Sequence, residues 1–417
     1  MRQIITHFTD NDLYTFTCQY YILMNYPHAE VEYSFFDRNK TKYPLGFGDM
    51  LREQMSYMKN VRITDEEIDF MKKSCYYLPD WYFNFLRGYT FNPNEVTISQ
   101  DNEGYLDIKI SGKWWSTIMW EMPILSSISE LMHFVKADDK KIDMNVEYTR
   151  ARLKARKLLN AGIKFADMGT RRRFSVELQD IVIKAFKDES DNFNETIHLE
   201  NGNFNGTSNV YFAMKYNLKP IGTMSHQIIS FEEIMTSITE CNYSVMDKWC
   251  KTYDGSLGIF LYDCFGDKVF FNNLSRKYAM LYDGLRVDSG DNMEQLCKIA
   301  EKYNSLNIMP ITKKVVFSNG LNGDEAISLH KEVHQRVDDS YGIGTWFTCG
   351  FDEISFESIT VPSVDVKPMN IVIKLTKGRY SDRHSWQNCV KLSCDKGKSV
   401  GNSDKCKYLS SLIDNLN

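Results

Sequence analysis

The chain has 417 residues, enough for two or three domains with buried cores, and its 43% apolar and 25% charged residues are ordinary for a globular protein. The net charge of −5 provides no basic field, so we expect no nucleic-acid partner. The sequence has no run of about eighteen apolar residues, so we expect no membrane partner either. The N-terminus lacks the apolar core of a signal peptide, and the ten cysteines lack metal-site spacing, so we expect a cytoplasmic protein.

The first part of the chain combines several predicted helices with one clear strand. Apolar spacing predicts helices over 16–26, 50–59, 64–73, 127–135 and 146–161, and alternation predicts a half-buried strand over 105–111. Thr64 and Glu67 have the spacing of a capping box. We interpret the basic residues of the last helix as a solvated face: Arg150, Arg152, Lys154, Arg156 and Lys157.

From about residue 162, short strand-like runs alternate with helical patterns. We expect strands over 163–166, 209–212, 219–221, 257–262, 285–287, 315–317, 342–344 and 370–375. About eight such units in roughly 215 residues match the length of a β/α barrel. The sequence therefore predicts the α/β class, with an irregular β/α barrel over 146–375. An N-terminal α/β domain is expected over 1–145, joined by the C-terminal segment 376–417.

Two stretches depart from this alternation. The asparagine-rich segment 187–205 is expected to be a mobile loop at the barrel rim, either a lid or a solvated excursion. The tail is expected to contain a hairpin around 395–398 and a final helix over 405–416.

The run from 220 to 226 ends a predicted strand and leads to His226. Ser230 and Glu233 have capping-box spacing, which predicts that a helix begins near Ser230 and that His226 lies on the preceding loop. Backbone N–H groups at a helix start favour phosphate, so this imidazole could meet a phosphoryl group. The alternative is a hydrogen-bonded loop histidine.

The polar residues that follow the strands are expected to converge, because the carboxyl ends of barrel strands form one rim. Two glycine turns, at 318–320 and 342–345, could hold a phosphate, since glycine lets N–H groups approach an anion closely. Arg171 suits a carboxylate or phosphate, whereas Arg173 is expected to pair with nearby acids. The phosphate-binding candidates are Arg172, Ser318, Asn319, Gly320, Gly342, Gly344 and Thr345.

Arg286 and Asp288 are two residues apart on a predicted strand and therefore share a face. Arg286 can bind an anion, while Asp288 can face a sugar hydroxyl, a bound metal or a developing cation. His330 and His334 lie four apart on a predicted helix without a third ligand nearby. We interpret them as helix-face residues rather than metal ligands.

Together and in this order, the motifs resemble those of the nicotinate phosphoribosyltransferases, a family of type II phosphoribosyltransferases, over nearly the whole chain. The matching motifs are Asp12-Leu13-Tyr14, Gly169-Thr170-Arg171-Arg172, Gly206-Thr207-Ser208-Asn209, Gly222-Thr223-Met224-Ser225-His226, Leu285-Arg286-Val287-Asp288-Ser289-Gly290-Asp291, Tyr341-Gly342-Ile343-Gly344-Thr345 and 367–375.

The resemblance implies transfer of phosphoribose from phosphoribosyl pyrophosphate to the ring nitrogen of nicotinate, which gives nicotinate mononucleotide and pyrophosphate for NAD biosynthesis. It implies ATP as a co-substrate, coupled through a phosphohistidine at His226, and Mg²⁺ as the cofactor. It also implies a homodimer with shared active sites, in which Tyr14 comes from the neighbouring subunit and stacks on the nicotinate ring.

The resemblance implies roles for the matching residues as well. His226, Arg286 and Asp288 would be catalytic, with Asp288 facing the ribose and Mg²⁺. Arg171 and Arg286 would face the carboxylate and the phosphates, and the two glycine turns would hold the 5′-phosphate. The substrate-binding set would be Tyr14, Met168, Gly169, Thr170, Arg171, Ser208 and Arg286.

Two positions bear on the choice of base. Nicotinamide-using relatives carry an acid where this chain has Ser208, and a hydroxyl there predicts nicotinate as the substrate. Relatives usually have phenylalanine in place of Met168, so a flexible thioether is expected on one face of the ring. The alternatives are a nicotinamide phosphoribosyltransferase and a catalytically silent barrel that binds nucleotide. Retention of His226, Arg286 and Asp288 argues against the silent barrel.

Overall fold

The structure, a computed structural model, describes residues 2–196, 202–393 and 399–416. The strands, numbered in chain order, are β1 Glu30–Asp37, β2 Val96–Gln100, β3 Leu106–Lys113, β4 Lys164–Asp167, β5 Asn203–Thr207, β6 Ile259–Leu261, β7 Gly284–Val287, β8 Lys314–Phe317, β9 Asp338–Ile343, β10 Ile354–Phe356, β11 Ile359–Val361, β12 Ile371–Arg379 and β13 Gln387–Asn388.

The helices are numbered in the same way. They are α1 Leu13–Asn25, α2 Phe47–Tyr57, α3 Asp65–Ser74, α4 Asp80–Gly88, α5 Trp114–Thr117, α6 Glu121–Val135, α7 Met144–Asn160, α8 Val176–Thr196, α9 Val210–Lys215, α10 His226–Met235, α11 Cys241–Tyr253, α12 Asp267–Asn273, α13 Arg276–Leu281, α14 Asn292–Ser305, α15 Gly323–Val333, α16 Thr345–Thr348 and α17 Ser403–Asp414. Turns of 3-10 helix cover Met58–Asn60, Pro93–Glu95, Ile118–Trp120, Asp138–Lys141, Thr170–Arg172 and Pro310–Thr312.

An antiparallel sheet, in the order β13-β12-β1-β3-β2, forms the part built from the two ends of the chain. In β1, Val31, Tyr33 and Phe35 are buried and alternate with less buried residues, so one face of the sheet packs on the core. The predicted strand at 105–111 is β3. The last predicted barrel strand, 370–375, is wrong as a barrel strand, because β12 pairs with β1 in this sheet.

The barrel is built on a parallel sheet in the order β5-β4-β9-β8-β7-β6. The N–H of Ile221 donates to Thr207 O at 2.8 Å, and Thr223 Oγ1 donates to Ile259 O at 2.8 Å. Residues 220–223 therefore lie between β5 and β6 and close the sheet. The predicted α/β class, with an irregular barrel and a separate N-terminal part, is confirmed.

The second predicted barrel strand is displaced along the chain. Residues 209–212 were expected to be a strand, but the strand β5 ends at Thr207 and the helix α9 follows. Asn209 caps that helix, since its side chain accepts from the N–H of Phe212 at 3.2 Å. Asparagine at this position therefore ends the extended run instead of beginning one.

The segment 187–205 is not the expected loop where it is described, because α8 continues to Thr196 and β5 begins at Asn203. Ion pairs between Lys184 and Asp188 and between Lys187 and Asp191 support the helix at four-residue spacing. Residues 197–201 lie outside the described residues, as does the hairpin expected around 395–398. On either side of the latter, Lys391 and Val400 pair in antiparallel fashion.

The basic helix α7 is only partly solvated, so its interpretation as a solvated face is wrong for two residues. Arg150 is buried, pairs with Glu147 at 2.8 Å and donates to Pro362 O at 2.8 Å. Lys154 is also buried and donates to the carbonyl oxygens of Trp346 and Gly350. These two cations hold the chain that follows β9.

One predicted helix start is confirmed and another is wrong. The side chains and backbone of Thr64 and Glu67 form the expected capping box of α3. The helix α10, however, begins at His226 with Ser225 as its N-cap. Ser230 does not cap a helix, because its hydroxyl donates to Val390 O at 2.9 Å.

Close packing between the two parts of the molecule positions α10. A Cβ atom at Gly378 of β12 would lie 2.8 Å from the Phe231 ring of α10, so a glycine is needed at this crossing. Buried apolar side chains of both parts form one continuous core. The predicted domain boundaries stay predictions, although β12 crosses the one placed between 375 and 376. Within the described ranges, no helix has the length and apolar character needed to cross a membrane.

A buried ion pair fastens the N-terminal segment to the barrel. Arg173 Nη1 and Nη2 contact Asp10 Oδ1 and Oδ2, each at 2.7 Å, and both side chains are at most 3% exposed. The expectation that Arg173 pairs with an acid is thus confirmed. Asn209 Nδ2 also donates to Asp10 at 2.7 Å, so one carboxylate joins three segments of the chain.

We expect Arg173→Met to lower the free energy of unfolding by about 3–5 kcal/mol, because it leaves the Asp10 carboxylate buried without its cation. Urea denaturation followed by circular dichroism measures this change. Lys184→Met is the matched control, since it removes a largely exposed cation from an ion pair on α8 and should cost less than about 1 kcal/mol. Equal losses in the two variants would contradict the prediction.

Candidate active site

Two adjoining cavities lie at the carboxyl end of the barrel strands. The first, here called the histidine cavity, has a volume of about 100 Å³ and is lined by His226 and Tyr14 among others. The second, the glycine-loop cavity, has a volume of about 230 Å³ and is lined by the predicted turns at 318–320 and 342–345. Both cavities share the side chains of Arg171, Arg286, Asp288, Lys374, Lys391 and Val400.

His226 is the first residue of α10, and its imidazole is fixed by two charged partners. Its Nε2 lies 2.8 Å from Asp263 Oδ1 and 3.0 Å from Lys391 Nζ. Burial, together with the Lys391 ammonium, lowers the pKa of His226 to about 4. The imidazole is therefore neutral at pH 7.

Asp263 follows β6 and is almost fully buried. Its Oδ2 accepts from Ser289 Oγ at 2.5 Å and lies 3.4 Å from Lys391 Nζ. Although burial by itself would raise the pKa of Asp263, the contacts with His226 and Lys391 hold it well below its usual range. The structure thus places an ionised carboxylate in contact with Nε2 of the histidine.

Arg286 and Asp288 lie together at the end of β7, on the wall between the cavities. Arg286 Nη2 donates to Asp288 Oδ1 at 2.9 Å, and its Nε donates to Ser318 Oγ at 2.8 Å. Asp288 Oδ2 lies 3.9 Å from His226 Nε2. Burial opposes ionisation of Asp288, but Arg286 beside it keeps the pKa of this carboxyl below its usual range.

The glycine turns meet as predicted around the glycine-loop cavity. Asn319 Nδ2 donates to Gly290 O at 2.9 Å, which joins the turn after β8 to the turn after β7. A Cβ atom at Gly344 would lie 2.7 Å from Met168 O, and one at Gly342 would lie 2.5 Å from Met168 Sδ. Glycine is therefore required at 344, where the neighbour is backbone, whereas at 342 the Met168 side chain fills the space that a Cβ atom would take. Ser318, Gly320 and Thr345 also line this cavity.

The 3-10 turn Thr170–Arg172 brings two arginines to the cavity walls. Arg171 lines both cavities, and Arg172 lines the glycine-loop cavity with Gly169. Burial, together with Arg171 and Arg38, lowers the pKa of Arg172 to about 9. Thr170 is fully buried instead, and its hydroxyl contacts Gln179 and Asn209.

Ser208 departs from the arrangement expected of it. The hydroxyl of Ser208 is buried and donates to Asp12 Oδ1 at 2.8 Å, so the structure does not bring it to either cavity wall. Tyr14 lines the histidine cavity of its own chain. The implied contribution of this ring from a neighbouring subunit stays a prediction.

Several functional residues carried no signal strong enough to be assigned from sequence. Asp263 follows a predicted strand, and Lys374 lies in the last matching motif, so both positions offered a clue. Lys391 lies in an irregular tail, and Arg38 follows β1 of the antiparallel sheet, far from the barrel motifs. Glu121, the first residue of α6, lines the histidine cavity through the folding of the N-terminal part over the barrel.

Positive charge dominates the glycine-loop cavity. Burial lowers the pKa of Lys374 to about 8, which is a sign of crowding by other cations and of exclusion from water. A bound polyanion would favour the charged form of each of these groups. Among the residues that the structure describes, the cations lining this cavity are Arg38, Arg171, Arg172, Arg286, Lys374 and Lys391, and the one acid is Asp288.

A metal ion could be held by only some of the acids near the histidine. Nitrogen and oxygen atoms of His226, Asp263 and Asp288 lie within 4.8 Å of one another. The Lys391 ammonium lies among them, however, and Mg²⁺ prefers oxygen ligands from one or two carboxylates plus phosphates and water. Asp288 alone, facing the cavities, fits such an ion.

His330 is expected to be a helix-face residue, and it lies on α15. Its Nδ1 pairs with Asp339 of β9 at 2.6 Å.

Comparisons with known proteins agree with this geometry. The profile of the Nicotinate phosphoribosyltransferase (NAPRTase) family matches residues 163–385, and that of its N-terminal domain matches residues 9–129. A nicotinate phosphoribosyltransferase from Desulforapulum autotrophicum is 38% identical over 412 residues, which cover 99% of each chain. One from Chromohalobacter salexigens is 34% identical over 95% of each chain.

Solved structures give the same result. The crystal structure of nicotinate phosphoribosyltransferase from Porphyromonas gingivalis matches 99% of this chain and 100% of its own, with a TM-score of 0.90 and 34% identity. The enzyme from Vibrio cholerae matches 100% of this chain and 94% of its own, with a TM-score of 0.86 and 26% identity. The sequence, the fold and the arrangement of the cavities thus lead to one conclusion: this chain belongs to the nicotinate phosphoribosyltransferase family.

Proposed function

We propose that this enzyme transfers phosphoribose from phosphoribosyl pyrophosphate to the ring nitrogen of nicotinate, giving nicotinate mononucleotide and pyrophosphate for NAD biosynthesis. The observation that carries the proposal is the ring of cations around the glycine-loop cavity, next to a neutral histidine and one facing carboxylate. Phosphoribosyl pyrophosphate is a polyanion with a phosphate at one end of a ribose and a pyrophosphate at the other, which suits two adjoining cationic cavities.

Each part of the substrate has a matching group. The turns at 318–320 and 342–345 offer backbone N–H groups to the 5′-phosphate. Arg171 and Arg286, on the shared wall, suit the carboxylate of nicotinate and the pyrophosphate. Asp288 faces the ribose, where its negative charge stabilises the cationic character that develops as the anomeric C–O bond breaks.

Mg²⁺ fits this site at Asp288. Asp288 Oδ1 accepts from Arg286 and Ser318, so Asp288 Oδ2 is the oxygen that would bind the cation. A bound Mg²⁺ would supply charge neutralisation on the leaving pyrophosphate. Arg286 and Lys374 hold the same leaving group from the protein side, and Lys391 excludes the ion from the neighbourhood of His226.

We also propose that ATP is a co-substrate and that His226 accepts its γ-phosphoryl group. A neutral imidazole has a lone pair on the ring nitrogen that does not donate to Asp263, and this nitrogen can attack phosphorus while ADP leaves. Asp263 then stabilises the positive charge that forms on the ring. Lys391, 3.0 Å from Nε2, lies on the Asp263 side of the ring, so it holds the imidazole together with Asp263 while the other nitrogen attacks.

Nicotinamide is the alternative base. The Ser208 hydroxyl is bonded to Asp12, which weakens its use as evidence for nicotinate. The preference for nicotinate over nicotinamide therefore rests on Arg171 and Lys374 on the cavity walls. Steady-state assays with both bases distinguish them. A silent nucleotide-binding barrel is disfavoured because His226, Arg286 and Asp288 all face the cavities.

The expected homodimer and the cytoplasmic location stay predictions. Each cavity is lined by barrel residues and by Lys374 and Lys391 from the part of the same chain that contains the antiparallel sheet. We propose that the groups the reaction needs come from one chain.

We expect incubation with ATP labelled at the γ-phosphate to leave an acid-labile label on the wild-type protein and none on His226→Ala. Acid lability is characteristic of a phosphoramidate bond, and the variant lacks the nucleophile. Acid and alkaline treatment of the precipitated protein, followed by scintillation counting, measures the label.

His330→Ala is the matched control, since His330 lies on α15 and pairs with Asp339 outside both cavities. It should retain the wild-type label. Label that persists on His226→Ala, or that resists acid, would contradict the phosphohistidine.

We expect the imidazole of His226 to titrate near pH 4 in the free enzyme, and its pKa to rise in Lys391→Met. Removing the ammonium takes away the positive charge that opposes protonation and leaves Asp263, which favours it. Two-dimensional NMR of labelled imidazoles measures both values, with His226 assigned from the signal that is lost in His226→Asn.

Lys251→Met serves as the control, because this lysine is 75% exposed and pairs with Asp247 on α11. A wild-type pKa near the ordinary value of about 6.5, or no change in Lys391→Met, would be inconsistent with the geometry of the pair.

A further inference from the structure

Glu121 lines the histidine cavity beside Arg171, which the proposed function assigns to the base, and Tyr14, to which the family resemblance gives a place on the base ring. It is the first residue of α6, its side chain is 10% exposed, and it lies beside Tyr14 and Arg171. A carboxylate at this place is unexpected, because it carries the same charge as the substrate that Arg171 would bind. Its position therefore needs a functional explanation.

The two carboxylate oxygens of Glu121 have different partners. Oε2 accepts from the hydroxyl of Tyr14 at 2.9 Å. Oε1 lies 4.0 Å from Arg171 Nη1, whereas a closed guanidinium–carboxylate contact is about 2.7–2.9 Å. The carboxylate thus bonds to the phenol and forms no close ion pair with the arginine, an arrangement in which the phenol can restrain the carboxylate.

Tyr14 is suited to this restraining role. Burial, together with the nearby Glu121, raises the pKa of Tyr14 well above its usual range, so the phenol keeps its proton. Its α1 backbone is also anchored to the barrel, because the N–H of Leu13 donates to Ser208 O at 2.8 Å. The hydroxyl therefore stays within reach of Glu121.

We propose that Glu121 is a specificity-determining residue: it is an internal carboxylate that competes with an acidic base for Arg171, and the Tyr14 hydroxyl holds it back. The inference rests on the proposed function, since it assumes that Arg171 receives the carboxylate of nicotinate. A base enters this site only if its anionic group binds Arg171 better than Glu121 does. A neutral base has no such group and gains nothing from displacing Glu121.

Because of this competition, substitutions of Tyr14 and Glu121 should have opposite effects on nicotinate binding, and each effect should depend on the other residue. Tyr14→Phe keeps the ring but releases Glu121, which closes on Arg171 and weakens nicotinate binding. Glu121→Gln keeps an acceptor for the phenol, because the amide oxygen replaces Oε2, but removes the competing charge. In the double variant, residue 121 has no carboxylate, so removing the hydroxyl releases no competing charge.

The experiment is steady-state kinetics with nicotinate as the varied substrate, at saturating phosphoribosyl pyrophosphate and ATP, for wild type, Tyr14→Phe, Glu121→Gln and the double variant. We expect KM for nicotinate to rise roughly fivefold in Tyr14→Phe and to fall roughly threefold in Glu121→Gln, as changes in one partly exposed ion pair allow. The double variant should match Glu121→Gln within about twofold. Equilibrium dialysis with labelled nicotinate checks that the changes are in binding.

Nicotinamide is the neutral comparison. Its inhibition constant against nicotinate should be the same in wild type and Glu121→Gln, because no anionic group competes with residue 121. A residue that only supports the fold would weaken both bases alike and lower the melting temperature, which is measured for every variant.

A rise in KM for nicotinate in Glu121→Gln, or additive effects in the double variant, would overturn the inference while leaving the proposed function intact. An equal gain for nicotinamide would overturn it as well. If the wild-type enzyme turned over nicotinamide but not nicotinate, both the proposed function and this inference would fail.

Discussion

The contact of Lys391 with the His226–Asp263 pair is the interaction on which the rest of the site depends. Lys391 belongs to the segment that follows β13 in the antiparallel sheet, whereas His226 and Asp263 belong to the barrel. One ammonium therefore joins the two parts of the molecule at the point where the proposed chemistry takes place. Burial disfavours the imidazolium, and the ammonium adds to this effect on the pKa of His226 while it stabilises the ionised carboxylate.

The barrel and the sheet contribute different kinds of group to the cavities. The barrel supplies backbone turns, Asp288 and the arginines that follow its strands, which is what an α/β barrel presents at its carboxyl end. The sheet supplies Lys374, Lys391 and Arg38, whose charges face the barrel loops. Because the two parts share one core, the cationic groups are held close together despite their repulsion. Because like charges repel, cations held this close together favour the binding of a polyanion, which offsets the repulsion.

Sequence was a good guide where chemistry follows local rules. The strand ends at Asp288 and at the turns 318–320 and 342–345 converge because parallel strands bring their carboxyl ends to one rim. Sequence failed where partners are distant: the strand 370–375 looks like a barrel strand until its pairing with β1 is known. Likewise Lys154 and Arg150 look solvated in the sequence, because the carbonyl groups that accept their hydrogen bonds lie some 200 residues away along the chain. Polarity also misled at 187–196, where charged residues support a helix.

The account makes one central claim, that a single chain encloses the donor, the base and the reacting histidine between its barrel and its sheet. A crystal structure of the wild-type enzyme with phosphoribosyl pyrophosphate and nicotinate tests it most directly. The account predicts the 5′-phosphate on the glycine turns and the pyrophosphate between Arg286 and Lys374, with every contact from one chain. Phosphates bound outside the two cavities, or a neighbouring chain supplying these cations, would contradict it.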